Sequence, residues 1–148
     1  MGREKYVSRQ RHVYALTFEG RSKHVYIGQS INPTRRLAQH RQSGDWDGLG
    51  AITLTPLAVY SGTRMDVERW ELIWRVRAQQ CGWRVLGGSN DDGPYVVDPM
   101  RRAKRQDITA AKRCKWPLGS ARTARRPFAV MVLALTLIGV VLHHCLVQ

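Results

Sequence analysis

Acidic side chains are scarce in this chain, and cysteine is scarcer still. Eleven Asp and Glu stand against 24 Lys and Arg in 148 residues, a net charge of +13. That imbalance works against cationic partners and favours a polyanion, either nucleic acid or an anionic membrane. The three cysteines, Cys81, Cys114 and Cys145, are far apart. No zinc-ligand spacing or disulfide framework is visible, so a reducing cytoplasm is the expected compartment. The first residues are polar and charged without an apolar core, which argues against a secretory signal. Internal repeats are missing, and so is any separate helix-turn-helix or zinc module that would read a base sequence.

What is present is unevenly distributed. Residues 1–97 hold 14 Lys and Arg against 9 Asp and Glu, whereas residues 98–148 hold 10 against 2. A chain of this length suggests one domain with appendages. The expected divisions are a basic arm at 1–11, a folded domain at 12–98, a basic linker at 99–127 and a hydrophobic segment at 128–148. From Phe128 to Leu142 every residue is apolar or small. As a helix that run rises ~22 Å, short of the ~30 Å hydrocarbon core. Extension to Val147 reaches a membrane-spanning length but includes His143 and His144. A basic block followed by such a run reads as a tail anchored to the membrane from the cytoplasm, and a buried or oligomerising helix is the rival reading.

The most informative stretch runs from His12 to Arg41. Two runs, His12 to Phe18 and His24 to Gly28, are rich in β-branched and aromatic residues, and Glu19 to Lys23 separates them with a glycine. This predicts a β-hairpin. Asn32-Pro33-Thr34 then supplies an N-cap and a proline at the first helical position. Arg36 and His40 stand four apart on the helix that follows, hence on one face. Ala51 to Tyr60 predicts an edge strand or two strand pieces broken by Pro56. A second helix is expected over Arg64 to Gln80, with Val67, Trp70, Trp74 and Ala78 at helical spacing and Gly82 as its stop. Trp83 to Leu86 can add a last strand. The ten Lys and Arg of residues 101–126, with Asp107 as the single acid, predict a solvated block with a short helix near Ile108 to Cys114.

These residues resemble the GIY-YIG nuclease family over roughly residues 10–90. The two signature triplets correspond to His12-Val13-Tyr14 and Tyr26-Ile27-Gly28, the first keeping only its tyrosine. The family's Arg-Leu-x-x-His helix pattern matches Arg36-Leu37-Ala38-Gln39-His40. The resemblance implies a small α/β (α+β) domain, a three-stranded sheet flanked by helices. It also implies a DNA endonuclease in which Tyr14 is the general base, assisted by Tyr26 and His40. Arg36 would stabilise the transition state. A lone Glu would hold Mg²⁺ or another divalent cation, and Glu71 is preferred over Glu68 because Glu71-Leu72-Ile73-Trp74 precedes a glycine stop. Arg35, Arg41 and Lys23 would meet the DNA backbone.

The chemistry suits the residue types. A phenol of pKa ~10 becomes a base only beside positive charge, and a guanidinium binds phosphate bidentately. Mg²⁺ commonly uses one or two carboxylates and keeps several waters. Each assignment has an ordinary rival: half-buried strand tyrosines, a solvated Arg/His helix face, or a Glu71–Arg75 ion pair on the helix surface. Two other functions compete at the level of the whole chain. One is a catalytically silent nucleic-acid-binding module, and the other is a membrane-tethered domain that binds a protein.

Overall fold

In the computed structural model, which describes residues 7–90 and 93–121, the chain is an α+β fold with one five-stranded sheet and three α-helices. Strands β1 (Arg9–Phe18) and β2 (Arg21–Ser30) form the hairpin, followed by α1 (Pro33–Gln42) and β3 (Ile52–Gly62). Helix α2 (Arg64–Gln80) precedes β4 (Arg84–Asn90) and β5 (Gly93–Val97). A 3₁₀ turn (Pro99–Arg101) then leads to α3 (Arg105–Arg113). The strand order is β3-β1-β2-β4-β5, antiparallel except for the parallel β2–β4 pair.

Period-2 alternation on β1 explains the two-sided core. Val13 and Ala15 face α2 and join Val25, Ile27, Val67, Trp74 and Ala78. Tyr14, Leu16 and Phe18 face the other way, onto Trp46 and Leu49 from the loop after α1. The central strands are thus covered on both faces, and their sequences read as nearly continuous apolar runs.

The helix signals act as their chemistry dictates. Asn32 caps α1 by accepting from the Arg35 backbone N–H at 3.0 Å, with Pro33 at the first helical position. Thr63 and Asp66 close a reciprocal capping box on α2, and Gly82 ends that region at φ 87°. Trp70 departs from the expected buried stripe: it remains partly exposed and stacks on Tyr60 at 4.5 Å between ring centroids. Pro56 sits on the edge strand β3, beside a bulge where Val13 pairs Ala58 but Tyr14 pairs Pro56.

Three boundaries differ from the sequence expectation. The sheet has five strands rather than three: the run expected at Trp83 to Leu86 forms β4 and continues through the glycines to Asn90, and the chain returns as β5. The arm expected at 1–11 already enters β1 at Arg9. The block expected as a basic linker packs onto the domain through residue 121: Ala111 is buried against Ile73 and Val76, and Trp116 joins Trp74. A helix whose exposed face is basic looks solvated in sequence, yet α3 has a narrow apolar stripe and a buried acid. The Asp107 carboxylate accepts from the Lys104 backbone N–H at 3.2 Å and from Arg69 Nε at 2.9 Å. Among the described residues no helix is long and apolar enough to cross a membrane. The hydrophobic segment at 128–148 lies outside the described residues.

Asp107 therefore caps its own helix and ties it to α2. Asp107→Ala is expected to lower stability by about 1–2 kcal/mol, the sum of a lost cap and a lost charge-assisted hydrogen bond. A shift in urea midpoint measures it, and an unchanged midpoint would refute the role.

Candidate active site

The site begins where two parallel strands part. β2 and β4 pair through His24↔Arg84, Val25↔Val85 and Tyr26↔Leu86. β4 then bulges between Leu86 and Gly88 and turns to β5. The β2 edge beyond Tyr26 loses its partner strand, and Arg75 of α2 takes over, its Nη2 donating to the Ile27 carbonyl at 3.1 Å. A cleft of about 1120 Å³ opens beside this edge. Tyr14, Tyr26, Arg36 and Glu71 all line it, together with Arg35 and Glu68.

Gly28 lets the two phenols converge. A β-carbon at that position would stand 2.8 Å from Tyr14 Oη and 2.8 Å from Tyr26 Cε1. Both contacts are shorter than real Cβ atoms tolerate, so the position must stay bare for the rings to meet. Burial pushes Tyr14 up to about 12, the neighbouring Tyr26 adds to the rise, and Arg36 opposes it. Tyr26 is raised as well, by burial first and then by Glu71, with Arg75 and Arg36 pulling the other way.

His40 is packed behind Tyr14 rather than in the cleft, only 5% exposed. Its Nε2 lies 3.1 Å from Tyr14 Oη, and its Nδ1 lies 3.1 Å from Trp46 Nε1. An indole N–H can only donate, so Nδ1 must be the unprotonated acceptor. Burial, reinforced by Arg36, lowers the imidazole to about 4, so the ring is neutral near pH 7. Its one proton is then on Nε2 and is donated to Tyr14 Oη. His40 therefore positions Tyr14 and cannot remove its proton. Trp46, in the loop after α1, fixes that tautomer.

Glu71 is held by Arg75, which donates from Nη2 to Oε1. Its carboxyl is nonetheless raised above the usual range: burial dominates, Arg75 opposes it and Glu68 adds to it. Glu68 pairs with Arg64 Nε at 3.2 Å on the exposed side of α2. Among the described residues no three His, Cys, Asp or Glu side chains are grouped to share a metal ion. A buried carboxylate that one arginine leaves undercompensated still fits a hard cation bound mainly by water and phosphate oxygens.

The three residues expected at a DNA backbone separate. Arg35 lines the cleft. Arg41 donates from Nη2 to the Ile52 carbonyl at 3.1 Å and serves the loop–β3 junction. Lys23 sits in the irregular part of the hairpin at φ 65°, outside the cleft lining. Sequence reasoning missed Arg11, Gln29, Arg64, Arg101 and Arg102, all on the cleft wall. Only the general excess of arginine signalled the four arginines, and nothing signalled Gln29. Comparisons of the chain with family models, with curated proteins and with solved structures returned no match.

Two outcomes follow from this geometry. Gly28→Ala is expected to destabilise the domain by about 1–3 kcal/mol, the usual range for overpacking a filled core, read as a lower urea midpoint. His40 has a folded pKa below its ordinary 6.5, so below that value the unfolded chain binds the proton and the folded one does not. Stability is fully present above about pH 6.5 and is lost as pH falls toward about 4, by on the order of 3 kcal/mol. Urea titrations at about pH 7 and about pH 5 are expected to show a smaller acid loss in His40→Gln than in the unsubstituted chain. Equal losses would remove His40 as the source.

Proposed function

We propose that this domain is an endonuclease that hydrolyses DNA phosphodiester bonds with a divalent cation such as Mg²⁺. The observation that carries this reading is the convergence of two phenols, a guanidinium and a buried carboxylate on one cleft. The electrostatics of the wall agree with it. Seven arginines and three carboxylates line the cleft, and two of those carboxylates are already paired to arginines. An excess of fixed positive charge suits an anionic substrate and the further negative charge that develops as a phosphodiester is attacked.

Each residue then has a physical task. Arg36, exposed at the cleft mouth with Nη1 donating to Gln39 Oε1 at 3.3 Å, is free to turn onto a phosphate. Tyr14 accepts from His40, so its own O–H is directed away from the imidazole, and the phenolic proton must leave through the cleft. Once ionised, Tyr14 accepts the proton of an attacking water, and the His40 Nε2–H and the Arg36 charge stabilise the phenolate. Tyr26 stands beside Tyr14, close enough to interact electrostatically. Glu71 would hold the cation, which supplies positive charge against the phosphate oxygens and the leaving group.

A base held as high as about 12 is mostly protonated near neutrality, so cleavage is expected to rise with pH, up to tenfold per unit, until another step limits it. Nicking of supercoiled plasmid by the full chain with Mg²⁺ tests the reading. Tyr14→Phe and Arg36→Ala are each expected to lose at least a hundredfold in rate while melting within a few degrees of the unsubstituted chain. Full activity in either variant would remove that residue from the mechanism. DNA binding without any cleavage would favour the silent module instead, for which the engagement of Glu71 by Arg75 is the supporting observation.

A further inference from the structure

Arg11 is the least compensated group on the cleft wall. It lies on β1, is 5% exposed, and its Nε and Nη2 atoms are buried without a hydrogen-bond partner among the described residues. No carboxylate pairs with it there. A buried guanidinium in that state is expensive unless something anionic meets it. Asp98, the one acid on the wall that is not paired to an arginine, is turned to local work: Oδ1 accepts from Gln79 Nε2 at 3.0 Å and from the Met100 N–H at 3.1 Å. Arg101, in the 3₁₀ turn, and Arg102, just after it, line the same cleft and are exposed.

We propose that Arg11 is the floor of a second phosphate subsite, with Arg101 and Arg102 as its outer wall, which takes a phosphate flanking the one to be cut. The inference rests on the hydrolytic reading for its choice of a nucleic-acid strand as ligand. Three facts support it. Tyr14 and Arg11 are three positions apart on an extended strand, roughly 10 Å, and alternation sends them to opposite faces of the sheet. The cleft that both line, at about 1120 Å³, is larger than a single phosphoryl group needs and at the upper end of ordinary ligand pockets. A guanidinium already stripped of water gives up little further hydration when a phosphate arrives, and it can bind that phosphate with two parallel hydrogen bonds.

The test is binding of a short DNA duplex to the full chain without divalent cation, over a range of salt, for the unsubstituted chain, Arg11→Met and Arg11→Lys. Arg11→Met is expected to fold with an unchanged or higher urea midpoint, because it removes an uncompensated buried charge. It is expected to bind about tenfold more weakly, with a log–log salt slope shallower by about one. Arg11→Lys keeps the slope. In a scan of single methylphosphonate linkages, one position is expected to weaken the unsubstituted chain and leave Arg11→Met unaffected. An Arg11→Met variant with unchanged affinity and slope overturns the subsite, as does a chain that binds no DNA. Thermal stabilisation by inorganic phosphate that depends on Arg11, with no effect on DNA, overturns the nucleic-acid assignment. A chain with the Arg11 signature that never cuts would sink hydrolysis and keep the subsite. Cutting with an unchanged slope in Arg11→Met would do the reverse.

Discussion

The parting of β2 from β4 after Tyr26 is the constraint on which the site depends. A parallel pair satisfies its backbone only while it continues. Pairing stops at Tyr26↔Leu86, so the Ile27 carbonyl needs another donor, and a side chain has to supply it. Arg75 does so from α2, and the same Nη2 holds Glu71. One backbone vacancy thus fixes the position of the carboxylate relative to β2. It also leaves room at the strand edge for residues from both faces of the sheet to reach a common cleft. Had β4 stayed in register along the whole of β2, Glu71 and Tyr26 would be separated by a closed sheet.

On the opposite face the ordering works through hydrogen-bond direction. Trp46 can only donate, His40 therefore accepts at Nδ1 and donates at Nε2, and Tyr14 receives. Every link is buried, so water does not compete and the direction is kept. The same burial that orders the chain raises the phenols and lowers the imidazole. Positioning and reactivity pull against each other here: a site dry enough to hold Tyr14 in place also resists forming the phenolate. Arg36 opposes the rise at both tyrosines, and at Tyr26 Arg75 opposes it first.

Legibility in the sequence followed the range of the interaction. Local rules were readable: Asn32-Pro33 starts α1, Thr63 with Asp66 starts α2, and Gly82 stops it. The pairing of Tyr14 and Tyr26 was visible as spacing, because a hairpin sets register over few residues and Tyr14 falls opposite Gly28. The rest depended on contacts between distant segments. Arg11 looked like one basic residue in a basic arm until β1 was extended beyond it. Asp107 looked like an isolated acid in a solvated block, and nothing in its neighbourhood announced Arg69, 38 residues earlier. Trp46 carried no signal at all, since an indole that sets a tautomer has no sequence pattern. The continuation of β4 past Leu86 and the return strand β5 were hidden by Gly87 and Gly88, whose composition signals a turn. The bareness at Gly87 instead accommodates Tyr95 and Val97 of β5, which a Cβ there would meet at 2.6 and 2.5 Å.

These long-range contacts also explain how so basic a chain folds around a cationic cleft. Like charges destabilise a compact state unless they are solvated, paired or given an anionic ligand. α3 shows the first two solutions together: Lys112 and Arg113 project into solvent while Asp107 ties the helix to Arg69. Arg75 shows the second, paired with Glu71 in a half-buried setting. Arg11 has neither, being excluded from water and unmatched among the described residues. Arg77 also has a buried Nε without a partner, but among the described residues Arg11 alone combines two such atoms with a place on the cleft wall, and the third solution, an anionic ligand, is the one left to a guanidinium in that position.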